Sequence, residues 1–327
     1  MRPTGRLHLG HLAGALGNWA ELQADYDCMY FVADWHALTS EYADTSGLTE
    51  YACDNVADWI AAGIDPERST LFVQSLVPEH AELYLLLSMV VPTPWLERVP
   101  TYKEQMEQLS DRDLSTLGFL GYPLLQTADV VIYGANYVPV GDDQVPHLEL
   151  AREVVRRFRG FFGDLFPEPQ PLLTPQPRLP GLDNRKMSKS YANTIDLGDD
   201  AETVQRKVMR MYTDPKRVRA DIPGTVEGNP VFTYHDAFNP DKAEVDDLKA
   251  RYRAGKVGDV EVKRKLARAV NAVLDPIRER RAAALSRPGR IREILHEGSA
   301  RARAIARERM ARVREAVRVT YDQESAP

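Results

Sequence analysis

An alternation of short apolar runs with helical patterns in the first half of the chain constrains its fold more than any other feature. The runs at residues 28–33, 70–74 and 129–133 are rich in branched or aromatic residues and bounded by polar turns, so each predicts a strand. Apolar residues recur at helical spacing at Leu12, Leu16, Trp19 and Leu22, at Val56, Trp59 and Ile60, and over residues 147–158. Strands that alternate with helices predict a parallel sheet covered on both faces, which is a Rossmann-like α/β fold.

The composition changes at residues 167–180, where six prolines predict an extended connector. Beyond residue 200 the chain has helical patterns rich in charge, with helix boundaries expected at Asp275-Pro276 and Pro288-Gly289 and one long helix over 291–319. We therefore expect an α/β domain over 1–185 with a helical insertion near 78–120, and a loop at 186–190. A helical domain over 191–290 and a final helical segment, 291–327, that packs back on the first domain complete the expected organisation.

Composition excludes several classes of protein. With 43% hydrophobic and 28% charged residues, and no apolar run near the ~18 residues of a membrane helix, a globular protein without a membrane partner is expected. The first residues lack the layout of a signal peptide, which favours the cytoplasm. Cys28 and Cys53 are the two cysteines, too few for a four-thiolate site, and no metal site is predicted in the chain itself.

Charge is unevenly distributed along the chain. The net charge of −6 argues against a protein that coats nucleic acid, and no DNA partner is expected. Cations are nevertheless concentrated in the second half, at residues 206–219, 263–281 and 301–318. Each cluster fits a solvated helix face among interspersed acids, and each also fits a local contact with RNA. The sequence leaves both interpretations open.

A first motif, His8-Leu9-Gly10-His11, stands just before the first helical pattern. Glycine permits a phosphate to approach the backbone, and the helix that follows offers unpaired N–H groups at its start. Two imidazoles three residues apart fall on one face, where they can donate hydrogen bonds to phosphate oxygens as charge develops. Alone the motif is a moderate signal, because a surface helix start with incidental histidines has the same pattern.

A second motif, Lys186-Met187-Ser188-Lys189-Ser190, follows a Pro- and Gly-containing loop. Two lysines three residues apart among hydroxyl residues predict a mobile cationic clamp for a polyphosphate, since lysine is a point charge on a flexible stem. The alternative is a basic surface loop. No GxxxxGK[ST] pattern occurs in the chain, so the predicted phosphate site is not a P-loop.

With these two motifs the chain resembles the class I aminoacyl-tRNA synthetases, whose signatures are HIGH and KMSKS. Five blocks resemble the successive blocks of bacterial tryptophanyl-tRNA synthetases over essentially the whole chain: PTGRLHLGHLAGALGNW, VADWHA, YPLLQTADVVIY, VPVGDDQVPHLELAREVVRRF and LPGLDNRKMSKS. The resemblance implies activation of L-tryptophan by ATP with Mg²⁺, transfer to tRNA(Trp) in translation, and a homodimer. It also implies that the domain at 191–290 reaches the anticodon and that the insertion near 78–120 pairs two subunits. The apolar run at 83–91 suits such an interface and equally suits a core helix.

The resemblance also implies roles for residues at matching positions. Catalytic contacts to the phosphates of ATP are expected from His8, His11, Lys186 and Lys189. Further ATP contacts are expected from Arg2, Pro3, Thr4, Gly10, Gly141, Asp143, Met187 and Ser188. Tryptophan contacts are expected from His36, Tyr122, Gln126, Asp129, Val138, Val140 and Gln144, with Asp129 accepting the indole N–H.

The chemistry of indole supports the role of Asp129. Indole is a large apolar body with one donor and no acceptor, so a selective pocket needs one buried acceptor among apolar residues. A competitor without that donor would leave the acceptor unpaired, at a cost of ~1–3 kcal/mol. A helix cap or a surface acid is the alternative for Asp129, and a structural histidine is the alternative for His36. A phenol also donates, so Asp129 alone does not separate tryptophan from tyrosine.

Two features depart from the family pattern. Relatives carry a few more residues before the Pro3-Thr4-Gly5 turn, which form a first strand, and many have glutamine where this chain has Arg2. A truncated or mis-assigned start, or a protein without that strand, is expected. Gln126 stands where some relatives have methionine. Three other functions stay open: a tyrosyl-tRNA synthetase, a small HxGH nucleotidyltransferase, and a non-catalytic paralogue that binds tRNA, tryptophan or another protein.

Overall fold

The fold is of the expected α/β class, with parallel strands and helices in the first half and helices in the second. The structure is a computed structural model that describes residues 1–100, 102, 113–173, 179–187 and 191–321. Two predicted strands are confirmed as β1, Met29–Val32, and β2, Thr70–Val73. They pair in parallel, with Met29 opposite Thr70 and Val32 opposite Val73.

The helices of the first half follow the predicted periodicities. Helix α1 combines Leu9–His11, a π-helical turn at Leu12–Leu16, and Gly17–Leu22. The next helices are α2 Asp34–Glu41, α3 Leu48–Ala62, α4 Glu79–Ser88, α5 Thr93–Glu97, α6 Leu117–Val131 and α7 Val145–Phe162. Short 3-10 helices occupy Gln74–Leu76 and Asp142–Gln144. The predicted amphipathic helix over 147–158 is confirmed within α7, which buries Leu148, Ala151, Val155 and Phe158 on one face.

The predicted strand at residues 129–133 is wrong, because Asp129 lies in the last turn of helix α6. The run VVIY is β-branched and aromatic, but it continues a long apolar helix that Thr116 caps by accepting the Phe119 N–H at 3.1 Å. Short apolar runs are ambiguous between a strand and a buried helix, and here the helix that precedes the run decides.

Two further strands were not predicted from the sequence. β3, Tyr137–Val140, and β4, Gln170–Leu173, form a second parallel pair, with Tyr137 opposite Gln170. Each contains a proline, Pro139 or Pro171, which cannot donate to a strand ladder and is tolerated mainly at sheet edges. β4 thus lies inside the stretch expected to be a connector.

The described strands form two separate parallel pairs rather than the single sheet expected from the sequence. A cavity of about 790 Å³ lies between β1 and β3 and is lined from both strands, for example by Tyr30 and Val138. At one end of the cavity Met1 donates to the Phe31 carbonyl at 2.5 Å, and the Ala33 N–H donates to the Met1 carbonyl at 2.9 Å.

The second half is helical. Its helices are α8 Ala201–Met209, α9 Pro230–Phe238, α10 Lys242–Arg253, α11 Asp259–Leu285 and α12 Arg290–Ala316. The boundary predicted at Asp275-Pro276 is wrong, since Pro276 lies inside α11. Burial of Val270, Leu274 and Ile277 around the proline holds the helix together despite the lost hydrogen bond. The boundary at Pro288-Gly289 is observed, with Gly289 at φ 83°.

Helix α12 lies directly against β2. A methyl group on Gly298 would come within 1.8 Å of the Leu71 carbonyl oxygen, so only glycine permits this approach. The Ser299 hydroxyl accepts a hydrogen bond from the Val73 N–H at 3.1 Å. Ion pairs tie the same helix to α4, from Arg303 to Glu79 at 3.0 Å and from Arg314 to Glu82. None of the described helices is long and apolar enough to cross a membrane.

Candidate functional site

The first motif forms the start of helix α1. The Nδ1 atom of His8 accepts from the Gly10 N–H at 3.2 Å, and the Nδ1 atom of His11 accepts from the His8 N–H at 3.1 Å. The two rings lie 3.9 Å apart between centroids. Since each Nδ1 is an acceptor, the neutral ring carries its proton on Nε2, which is then a donor. Both histidines therefore have the donor chemistry that the sequence predicts for phosphate binding.

The two motifs meet in space although they are far apart in the sequence. The Leu9 N–H donates to the Ile195 carbonyl at 2.9 Å, and the Leu197 N–H donates to the Leu7 carbonyl at 2.9 Å, so the first motif pairs with the segment after the second. A methyl group on Gly10 would lie 2.9 Å from the Met187 sulfur. The glycine thus lets the second motif pack against the first.

The base of the second motif is held by its neighbours. Asn193 donates to the Lys186 carbonyl at 3.1 Å and to the Asp183 carboxylate at 2.8 Å. The side chain of Lys186 is exposed. Ser188 and Lys189, both predicted ATP contacts, lie outside the described residues, and their roles stay predictions.

Polar residues follow the carboxyl ends of three parallel strands, the edge at which open α/β sheets bind ligands. β1 is followed by His36, β2 by Gln74, and β3 by Asp143 and Gln144. Gln74 was not predicted as a site residue, although its position directly after a parallel strand is a signal that could have identified it. The site residues therefore stand in helical turns that directly follow the strands, His36 in α2 and the others in short 3-10 helices.

Asp129 is the centre of a buried hydrogen-bond network. One carboxylate oxygen lies 2.7 Å from His36 Nε2, and the other lies 2.6 Å from His80 Nδ1. Gln74 Nε2 donates to both oxygens, at 2.8 and 3.0 Å. His80 Nε2 in turn lies 2.6 Å from the Tyr133 hydroxyl. The structure thus brings His36 and Asp129 together, and it adds His80, Gln74 and Tyr133, which the sequence did not single out.

The network keeps Asp129 ionised. Burial by itself raises the pKa of a carboxyl, but the hydrogen bonds from His36 and His80 outweigh it and lower the pKa of Asp129 well below its usual range. Burial also raises the pKa of Tyr133 far above its usual range, which keeps the hydroxyl protonated. Asp129 is consequently a buried acceptor in a setting of donors.

Helix α6 presents several predicted tryptophan contacts at helical spacing. Tyr122, Gln126 and Asp129 stand at positions i, i+4 and i+7, which share one face of a helix. The ring of His147, not predicted as a site residue, lies 5.5 Å from that of Tyr122. Burial lowers the pKa of His147 to about 4, so this imidazole is neutral at pH 7.

The remaining predicted contacts with ATP and tryptophan lie near the N-terminus and at the end of β3. Arg2 donates to the Ser40 hydroxyl at 2.6 Å, Pro3 is buried, and Thr4 is half-buried. Asp143 is exposed and accepts from Gln144 Nε2 at 2.9 Å. Val140 ends β3 and Gly141 follows it, and both residues are buried. Their contacts with ATP or tryptophan stay predictions.

The cavity between β1 and β3 reaches the network. Its walls include Phe31, Phe72 and Tyr133, together with Asp129. Of the predicted tryptophan contacts, Val138 and Asp129 line it, whereas His36 and Tyr122 do not. The aromatic rings and Asp129 match an aromatic ligand that carries a single donor, and Asp25, Asp27 and Arg68 also line the cavity.

A family model described as tRNA synthetases class I (W and Y) matches residues 1–275. Among curated relatives, the tryptophan–tRNA ligase of Treponema pallidum is 50% identical over 97% of this chain and 94% of its own length. The tryptophan–tRNA ligase of Thermotoga maritima is 48% identical over 98% of both chains.

A solved structure shows the same likeness in three dimensions. The tryptophanyl-tRNA synthetase of Campylobacter jejuni, complexed with ADP and tryptophan, superposes with a TM-score of 0.85 at 32% identity, covering 97% of this chain and 98% of that one. The family model covers well over half of the chain, and the relatives match it nearly end to end. The chain therefore belongs to the class I tRNA synthetases of the tryptophan and tyrosine family.

Proposed function

We propose that this protein is a tryptophan–tRNA ligase, which activates L-tryptophan with ATP and transfers it to tRNA(Trp). The observation that carries the proposal is the 50% identity with the Treponema pallidum tryptophan–tRNA ligase over 97% of the chain. The contact between Gly10 and Met187 and the buried acceptor at Asp129 support it, because the reaction needs a phosphate site and an indole site. A role in translation would place the protein in the cytoplasm.

The first step needs no protein base. The carboxylate of tryptophan is ionised near neutral pH and attacks the α-phosphorus of ATP, which forms tryptophanyl-adenylate and releases pyrophosphate. In the second step a terminal ribose hydroxyl of tRNA attacks the activated carbonyl and releases AMP. Catalysis then consists of positioning and of stabilising charge on phosphate oxygens.

The two motifs supply that charge stabilisation. His8 and His11 would donate from Nε2 to phosphate oxygens, and Lys186 and Lys189 would neutralise the departing pyrophosphate. Mg²⁺ fits as a companion of the ATP phosphates rather than as an ion held by side chains, since the described residues contain no group of three or more metal-binding side chains. In the described region Asp143, exposed after β3, would bind the ribose.

The indole would lie against the apolar face that ends at Asp129. Its N–H would donate to the Asp129 carboxylate, with Tyr122, Gln126, His36, Val138, Val140 and Gln144 around the ring and the amino-acid backbone. The ionised state of Asp129 supports this role, because an acceptor without a proton of its own selects a ligand that donates. A benzene ring in place of indole would leave the carboxylate one partner short.

A homodimer through α4 and the start of α6 is part of the proposal. α4 buries Leu83 and Leu87 but exposes Leu85 and Met89, at 53% and 70%, and Leu117 is 77% exposed on the neighbouring helix. Exposed large apolar residues on adjacent elements are typical of a protein–protein interface. Size-exclusion chromatography with light scattering tests this, and a monomer at micromolar concentration would contradict it.

Contact of the helical domain with the anticodon of tRNA(Trp) is also proposed. The basic clusters contain both buried and exposed side chains. Arg217 and Lys263 are buried. Arg206, Arg210 and Arg264 are exposed. Only exposed cations can bind phosphates, so the second group carries the proposed contact with tRNA. Charge reversal of Arg210 should raise the KM for tRNA without changing exchange of pyrophosphate into ATP.

The experiment that tests the function is ATP–pyrophosphate exchange with purified protein and each of the twenty amino acids. Exchange with tryptophan alone is expected. Exchange with tyrosine alone would replace the proposal by a tyrosyl-tRNA synthetase, and ATP turnover independent of any amino acid would indicate a nucleotidyltransferase. A folded protein without exchange that still binds tryptophan or tRNA would be a non-catalytic paralogue.

The role of the clamp is tested by Lys189→Ala. Loss of a charge that acts only on the transition state should lower the exchange rate by about 100-fold or more, with the tryptophan KM nearly unchanged. Lys216→Ala, at another exposed lysine, serves as the matched control and should exchange at the wild-type rate. A raised tryptophan KM with an unchanged rate would contradict the clamp role.

A further inference from the structure

His80 is a fully buried histidine that neither the motifs nor the proposed mechanism uses. It lies in the first turn of α4, next to Asp129, and its ring is 6.2 Å between centroids from each of the stacked rings of Phe31 and Phe72. Both of its ring nitrogens have partners at 2.6 Å, the Asp129 carboxylate at Nδ1 and the Tyr133 hydroxyl at Nε2. A histidine with such short contacts in an apolar shell has a defined tautomer and a defined orientation.

The partners of His80 fix where its protons lie. The ionised Asp129 can only accept, so His80 Nδ1 must carry a proton and donate. The Tyr133 hydroxyl is protonated and has no other hydrogen-bond partner among the described residues, so it donates to Nε2. The result is a hydrogen-bond relay in which Tyr133 donates to His80 and His80 donates to Asp129.

This hydrogen-bond relay helps to orient the Asp129 carboxylate. Gln74 donates to both oxygens of Asp129, at 2.8 and 3.0 Å, and His36 binds one of them at 2.7 Å. His80 binds the other oxygen at 2.6 Å, so without His80 that oxygen would keep only the hydrogen bond from Gln74. The direction in which the remaining lone pairs of Asp129 point is thereby set by the donors around it, with Tyr133 acting through His80.

We propose that His80, oriented by Tyr133, is a positioning residue that fixes the Asp129 carboxylate as the acceptor of the indole N–H and thereby sets selectivity for a ring that donates. The inference rests on the proposed function, since it concerns the same tryptophan pocket. His80 itself touches no substrate. Its contribution should therefore appear in discrimination between ring donors and not in the phosphate chemistry.

The test compares His80→Leu with His80→Asn in ATP–pyrophosphate exchange, using L-tryptophan and β-(3-benzothienyl)-L-alanine, in which sulfur replaces the N–H. For His80→Leu we expect the tryptophan KM to rise about 10- to 100-fold, while the KM for ATP and the rate at saturation change little. The preference for tryptophan over the sulfur analogue should shrink by a similar factor. Asn can place an amide donor near the position of Nδ1, so His80→Asn should restore most of the preference.

A purely structural role for His80 would give a different pattern, in which both ligands lose affinity equally and the preference is unchanged. That outcome overturns the proposal, as does failure of His80→Asn to recover more preference than His80→Leu. Wild-type protein without any tryptophan-dependent exchange would instead refute the proposed function, so the two failures are distinguishable.

Two measurements keep the test decisive if His80→Leu does not fold. Nitrogen-15 NMR of histidine-labelled wild-type protein should show His80 protonated at Nδ1 alone, and a proton at Nε2 would overturn the proposal. Tyr133→Phe removes only the hydroxyl and should reduce the preference for tryptophan a few-fold with ATP kinetics unchanged. An unchanged preference in a folded Tyr133→Phe would show that the relay does not orient the carboxylate.

Discussion

Asp129 in the first half and Arg217 in the second are both buried charges, but what surrounds them differs. Asp129 is bound by three side chains, His36, His80 and Gln74, and borders a cavity. Arg217 has a fully buried side chain that donates to the carbonyls of residues 220, 222 and 257 and pairs with Asp259 at 3.0 Å.

The difference separates a functional charge from a structural one. Backbone carbonyls belong to the fold, so a cation that binds them holds a loop in place and has no capacity left for a ligand. Arg217 in addition lies 4.0 Å from the ring of Tyr252, which closes its remaining face. Asp129 is instead held by side chains and borders a cavity, where a ligand can lie.

The largest expected effect is on the structural charge. Arg217→Met leaves Asp259 and several carbonyls unpaired, so the free energy of unfolding should fall by about 3–5 kcal/mol in urea denaturation. The tryptophan KM of the folded fraction should be unchanged. Arg219→Met is the matched control, because its pair with Asp221 is exposed on both sides and its loss should change the free energy of unfolding far less than the loss of Arg217. Equal losses of unfolding free energy in the two variants would show that Arg217 is no more important for stability than an exposed arginine.

A second expected effect is on the pH dependence of stability and concerns Asp58. This buried carboxylate in α3 pairs with Arg281 in α11 at 2.7 Å. Burial raises the pKa of Asp58 to about 6, although the bond to Arg281 opposes the shift. Between the unfolded value near 4 and about 6, the folded state keeps a proton that the unfolded state has lost. Stability from this group is therefore present below that window and is lost as pH rises through it, by up to about 3 kcal/mol.

Urea denaturation of wild type and Asp58→Asn from pH 4 to 7 measures this contribution. The stability of the wild type should fall relative to that of Asp58→Asn as pH rises. Asp54→Asn, at the more exposed partner of Arg281, should keep most of the wild-type pH dependence, because the charge of Asp54 is only a minor cause of the raised pKa of Asp58. A difference between wild type and Asp58→Asn that is independent of pH would show that Asp58 is ionised throughout.

The functional charge is tested by Asp129→Asn. Loss of the full acceptor should weaken tryptophan binding by about 10- to 100-fold in calorimetry, which corresponds to ~1–3 kcal/mol. ATP binding should be retained. Asp142→Asn, at an exposed acid beside the site, is the control and should bind tryptophan normally. Unchanged affinity in Asp129→Asn would place the indole elsewhere.

The smallest effect concerns the helix caps, one in each half. Thr116 caps the helix that carries Asp129, and Asp200 caps α8 by accepting the Thr203 N–H at 2.6 Å. Thr116→Ala should lower the free energy of unfolding by ~1 kcal/mol, and Asp200→Ala should lower it slightly as well. Neither should change the tryptophan KM, because side chains and not the helix start hold Asp129. A rise in KM for Thr116→Ala alone would extend the functional network to that cap.

The sequence by itself determined the elements whose patterns are local. The helical periodicities gave α1, α3 and α7, since an apolar stripe every three or four residues has one regular solution. β1 and β2 followed from short branched runs between polar turns. The two motifs identified the family because each depends on the order of a few adjacent residues.

The tertiary structure alone decided the features that depend on distant neighbours. Residues 129–133 form a helix end rather than a strand, and Pro276 stays inside α11, because packing outweighs weak local preference at both places. Gln74 and His80 became site residues through hydrogen bonds to Asp129, which stands 55 and 49 positions away in the chain. Neither carries a sequence signature, since a buried acceptor needs donors from whatever side chains the fold places around it. The sequence named Asp129 as the acceptor, and the fold decided which donors hold it.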